Sequence, residues 1–190
     1  MKNFHLVAFA LVALIVSSPI YAEEKPVAET PVTKLENLTA TLTKDMDENK
    51  AKQFSAINHS FGIIRTVEDV QQSISRAVIS CSKSNPDIKE SLSGRFETWK
   101  EAVRPVMKQA RAKLDKMILH QSFGKPSEVR AYLKVFEAAV IYRNQKIKPV
   151  PIEKLEDCQR LQNNMDGTQT NMVNLITETL ALNSDIKVKE

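Results

Sequence analysis

Apolar side chains recur every three or four residues through most of this chain, a rhythm that predicts helices laid against a shared core. Leu35, Leu38, Leu42 and Met46 share one face of a short amphipathic helix over residues 33–46. The next stripe, Phe54, Ile57, Phe61, Ile64, Val67, Val70, Ile74, Ala77 and Cys81, predicts a helix over 50–84, with Gly62 and Thr66-Val67-Glu68-Asp69 as the places where it could break. Asn85-Pro86 ends it. Proline cannot extend the hydrogen-bond ladder, and Asn85 can cap a following helix that has Pro86 at its first position. That helix, over 86–121, carries Ile88, Leu92, Phe96, Trp99, Val103, Val106, Ala110, Leu114 and Met117. Pro105 inside it should bend it, because the bond to the Glu101 carbonyl is missing. Phe123-Gly124-Lys125-Pro126 is a stop followed by a start, and a third core helix over 126–146 presents Val129, Leu133, Phe136 and Val140. Lys148-Pro149-Val150-Pro151 reads as a stiff extended connector to a fourth helix over 151–182, with Leu155, Cys158, Leu161, Met165, Met172, Leu175 and Leu182 on its stripe.

No stretch alternates apolar and polar residues with β-branched enrichment, and four glycines leave little material for hairpins. The expected fold is therefore all-α: an up-down-up-down four-helix bundle with long helices, a short N-terminal amphipathic helix and one interhelical disulfide. In such a bundle Cys81, just before the Asn85-Pro86 turn, and Cys158, just after Pro151, fall at the same end. A Cys81–Cys158 bridge is thus sterically reasonable. The third core helix, at ~31 Å against ~50 Å for the others, leaves one corner of the bundle uncovered. The expectation places that gap far from the disulfide; the 33–46 helix either folds back at Asp47-Glu48-Asn49 to fill it, or prolongs the first core helix or stays mobile.

The ends of the chain add a destination. Lys2, the apolar run Leu6 to Val16 and the small-residue patch ending in Ile20-Tyr21-Ala22 form the pattern of a secretory signal peptide, residues 1–22, cleaved near Ala22. The run falls short of the ~20 residues that span a bilayer, so the expected product is exported, soluble, and periplasmic or secreted. Residues 23–32 mix charges with two prolines and read as a flexible acidic leader, ahead of a helical bundle domain over 33–190. Export also explains the cysteines, since an oxidising compartment preserves disulfides. Neither lies in Cys-x-x-Cys, which removes a thioredoxin-like role, and the absence of Cys-x-x-Cys-His removes standard covalent haem attachment.

Charge divides the chain. Residues 23–49 hold 3 basic and 7 acidic side chains, whereas residues 50–190 hold 23 and 16. A mildly basic body suits weak contact with an anionic envelope surface as well as plain solubility. Lys100, Arg104, Lys108 and Arg111 follow one another at helical spacing as a candidate stripe for an anionic partner, partly offset by Glu97 and Glu101. Nucleic acid is not expected, because no aromatic residues interleave with the basic ones. A run of neutral polar residues from Gln159 to Thr177 gives the last helix an amide-rich face, which suits either solvent or a hydrogen-bonding partner.

No paired carboxylates in a defined context, Gly-x-Ser-x-Gly motif or phosphate loop is present, so no catalytic residues are assigned and the protein is read as a non-enzyme. The two internal sequons, Asn37-Leu38-Thr39 and Asn58-His59-Ser60, matter only in a glycosylating host. Two functional readings remain. In the first, an interaction protein of the envelope offers an apolar groove where the third core helix ends, lined by Phe54, Ile57, Phe61, Leu114, Met117, Ile118, Leu175 and Ile176, to an envelope protein or an apolar ligand. In that reading the leader helix occupies the groove until the partner replaces it, and no cofactor is required. In the second, a carrier holds a non-covalent haem or a metal through His59 or His120, with Met107, Met117, Met165 or Met172 available as further ligands. The ordinary alternative for each set is core packing for the apolar residues and solvent exposure for the histidines.

Overall fold

The computed structural model describes residues 29–182; the expected signal peptide and most of the acidic leader lie outside the described residues. Five α-helices follow one another: α1 Pro31–Thr43, α2 Glu48–Ser84, α3 Lys89–His120, α4 Pro126–Asn144 and α5 Leu155–Thr179. A single 3₁₀ turn, Pro86–Ile88, joins α2 to α3, and no strand occurs among the described residues.

Local chemistry accounts for most helix ends. The Thr30 hydroxyl accepts the Thr33 amide and Pro31 opens the first turn of α1, a position where a missing N–H costs nothing. Asp47 caps α2 by accepting the Lys50 amide at 2.9 Å. That bond, with the Lys50 ammonium beside it, holds the Asp47 carboxyl below its usual range. Between α3 and α4, Gln121 Oε1 accepts the amides of Phe123 and Gly124 at 2.7 and 3.0 Å, and the Lys125 amide donates to Glu128 one turn into α4.

Several expectations change here. Helix α2 runs unbroken through Gly62 and Thr66, whereas Pro105 lies inside α3 where the pattern placed it. Asn85 does not cap the following helix; its amide instead donates to the Glu153 carbonyl at 2.9 Å and the Cys81 carbonyl at 3.4 Å, tying the start of α5 to the end of α2. The last helix begins at Leu155, not residue 151: the Glu153 carbonyl is held by the Asn85 side chain and Lys154, at the cap position, is in extended backbone.

Helices α2, α3 and α5 pack on one another, and α1 packs on α4. Helices α2 and α3 form an antiparallel hairpin, marked by Ser60 beside Met117 and Glu68 beside Arg111. Helix α5 runs in the same sense as α3, with Arg95 paired to Asp166 and Lys113 reaching the Ala181 carbonyl. Helix α4 follows the sense of α2, with Phe136 against Phe61 and Asn144 bonded to Asp69. Trp99, Val67, Leu92, Ala110, Met165 and Ile176 make the interior, each 1% exposed or less. The Cys81–Cys158 disulfide closes one end.

The leader helix folds back, as one of its two expected placements required. The Thr39 and Tyr132 hydroxyls meet at 3.2 Å, and Leu35, Leu38, Leu42 and Met46 rest on the core. It does not fill the corner that α4 leaves open, because that corner lies at the other end. Helix α4 starts at the turn after α3, far from the disulfide, and stops at Asn144 opposite the middle of α2. At 19 residues against 37 for α2, it leaves ~20 Å of the α2 and α3 surface uncovered on the disulfide side. Residues 145–154 cross that stretch as a strap that turns at 145–147 and carries no helix or strand beyond.

Candidate functional site

Where α4 stops, a cleft of about 1000 Å³ opens between α2, α3 and the strap. Its polar floor is built around Arg65, at the middle of α2, whose side chain is only 18% exposed. The guanidinium meets Glu68 at 2.6 Å, Glu137 of α4 at 3.0 Å and Asp69 at 3.3 Å. The second oxygen of Glu68 accepts Arg111 of α3 at 2.7 Å, and the second oxygen of Asp69 accepts the Asn144 side chain at 3.3 Å. Three helices are thereby joined by one charged network, and a planar guanidinium is the group able to serve several carboxylates at once. Gln72, Ser75 and Arg76 continue the wall along α2, and Phe96, Ile141 and Ile147 add apolar surface.

The basic stripe on α3 contributes to this region. Lys100, Arg104 and Arg111 line a smaller hollow of about 220 Å³ beside the cleft, together with Gln71, Val103 and Met107 and without a carboxylate in its wall. Lys100 is tethered to Glu97 at 2.6 Å and lies 5.1 Å above the Phe96 ring, as the interruption of the stripe by Glu97 implied. Lys108 is exposed and does not line that hollow.

The expected apolar groove is filled. Phe54, Ile57, Leu114, Ile118 and Ile176 are buried in the core, Phe61 and Met117 are half-buried, and only Leu175 is open to solvent. Phe54 packs on Tyr132 of α4 and on Phe123, and Phe61 meets the Phe136 ring edge-on. These residues sit at the end that α4 covers, so their burial follows from the direction in which α4 runs. The residues that do line the opening, Arg65, Glu68, Asp69, Arg76 and Glu137, were legible only as charges in the sequence. The signal that could have located them was the shortness of the third core helix, read together with the direction in which it runs.

His59 and His120 are both exposed, and no cluster of three or more histidine, cysteine or carboxylate side chains suited to a metal occurs among the described residues. Met107 and Met165 are core residues, while Met117 and Met172 are half-buried against the core. No described helix is long and apolar enough to cross a membrane. Compared with family models, curated proteins and solved structures, the chain finds no match, and its site is read from its own residues.

Proposed function

We propose that this chain is an exported, non-catalytic binding protein of the cell envelope, free in the periplasm or secreted, that uses the cleft at the end of α4 to hold a partner. The four long helices α2 to α5 serve in this reading as an up-down-up-down frame, with α1 laid on α4. The supporting observation is the incomplete corner of the bundle. A concavity of about 1000 Å³ lies over a floor that the Arg65 network holds rigid from three helices, and its walls carry Arg76, Lys100 and Arg111. Concave surfaces with a few fixed polar groups are where ligands bind. The carboxylates at its floor are each committed to arginine or asparagine, which suits recognition better than proton transfer.

A photo-crosslinking residue placed at Gln72 in the cleft wall, and in a separate strain at Asn163 on the outer face of α5, tests the reading in intact cells. Binding in the cleft gives a discrete adduct from Gln72 and none from Asn163. Equal yields from both positions, or no adduct from Gln72, refute it.

A further inference from the structure

The strap that bridges the missing corner carries an exposed apolar and basic edge of its own, sharing Ile147, Pro149 and Arg76 with the cleft wall. Its two ends are fixed: Asn144 donates to Asp69 at one, and the Glu153 carbonyl accepts the Asn85 amide at the other. Between them Ile147 is 70% exposed and Val150 86% exposed. The α2 residue Ile79, 66% exposed, lines the same hollow as Pro149 and Val150, and Ile141, 44% exposed, lines the cleft beside Ile147 and Pro149. Among the described residues, four of the seven large exposed apolar side chains thus gather around hollows that share Pro149. A patch of that kind marks a contact surface.

Cations surround it. Lys146, Lys148 and Lys154 lie on the strap against one acid, Glu153, while Arg76 and Lys83 border the hollows on the α2 side. The Lys146 ammonium lies 5.1 Å from the Tyr142 ring centre, so an aromatic ring also belongs to this edge. A partner that meets this surface must offer negative charge and an apolar layer together, and must receive side chains that project outward. A protein with a rigid acidic face supplies the charge without the apolar layer. An anionic bilayer supplies both, with phosphates at its surface and acyl chains a few ångströms below.

We propose that the strap and the α2 face beneath it dock on an anionic lipid bilayer, with Ile147 and Val150 entering the headgroup layer and Lys146, Lys148, Arg76 and Lys83 facing lipid phosphates. Docking of this sort is peripheral and reversible.

The experiment is cosedimentation of a chain starting at Glu23, which keeps every described element, with vesicles of phosphatidylglycerol and phosphatidylcholine or of phosphatidylcholine alone. Binding to the anionic vesicles only, weakening as salt is raised, is expected. Lys146→Gln with Lys148→Gln lowers partitioning by roughly 25-fold, taking about fivefold for each lysine near such a surface. Ile147→Asn with Val150→Asn lowers it by about tenfold or more. Both pairs change exposed residues, and an unchanged melting curve verifies the fold. Absence of binding to anionic vesicles overturns the proposal. So does binding that neither pair weakens, and so does capture by soluble poly-glutamate without capture by vesicles.

Discussion

Replacing Cys81 and Cys158 together by alanine tests how the two halves of the bundle are held. The bridge joins residues 77 apart in sequence, so it closes all of α3, all of α4 and the strap into one loop. In the chain-entropy model a loop of that size restricts the unfolded chain by ~4.5 kcal/mol at 25 °C. Both half-cystines are completely buried, so losing the two sulfurs adds a small cavity cost to that figure. The expected loss is about 5 kcal/mol, which lowers a urea midpoint by roughly 2 M for a slope near 2 kcal/mol/M. Trp99, the single tryptophan, is 1% exposed, and its fluorescence reports unfolding directly. Far-UV circular dichroism on the same samples checks that the transitions coincide, as two-state analysis requires. A loss below about 1 kcal/mol with an unchanged slope refutes the reasoning, because the bridge would then constrain nothing that unfolds.

Deleting residues 23–46 removes α1 and uncovers Tyr132 and the surface on which Leu35, Leu38 and Leu42 rest; thermal stability should fall by the equivalent of about 2 kcal/mol, and no loss would show that α1 does not pack. Arg65→Met leaves Glu68, Asp69 and Glu137 facing one another without their shared cation, and chemical denaturation should show a loss of about 2 kcal/mol or more, with Arg65→Lys recovering only part. Because the folded state lowers the Asp47 carboxyl below its ordinary value, the stability that this group contributes is complete above an unfolded pKa of about 4 and is lost as pH falls through the lower folded value; Asp47→Asn, measured by melting between about pH 2 and 6, should flatten that part of the profile while keeping a cap. Ala181 adopts φ 45°, a left-handed conformation that favours glycine, so Ala181→Gly should raise stability by about 0.5–1 kcal/mol in the same assay.

The helices were legible because each buries one stripe against neighbours, and a stripe is written in the spacing of single residues. Val67, Ile74, Leu92, Trp99, Val103 and Leu114 all lie on stripes read from the sequence, and all are buried. The disulfide was legible for the same reason, since two cysteines near helix ends can meet only if those ends coincide. Helix ends were harder to read. Asn85 has the composition of a cap, but its amide is taken by the Glu153 carbonyl, a partner that only the folded chain brings within reach. The Arg65 network was equally out of sight, because its carboxylates come from two helices and its second arginine from a third.

The working region depended on a quantity that lies between these levels: which way the short helix runs. Its length was evident from the pattern, and a short helix among long ones must leave part of a bundle bare. Which part is bare follows from connectivity alone. A helix that begins at the turn after α3 must begin at the end where α3 finishes, so whatever it fails to cover lies toward the start of α3 and the cysteines. The chain still has to return from Asn144 to Leu155 across that bare surface, and ten residues reach at most about 35 Å even if every one were extended, enough to span it but too thin to cover it. Prolines in the strap keep it extended, so it cannot coil into the missing length of helix. One shortfall in α4 thus produces both features argued to carry function: a charged cleft on one side of the strap, and exposed isoleucine and valine, with lysines between them, along its crest.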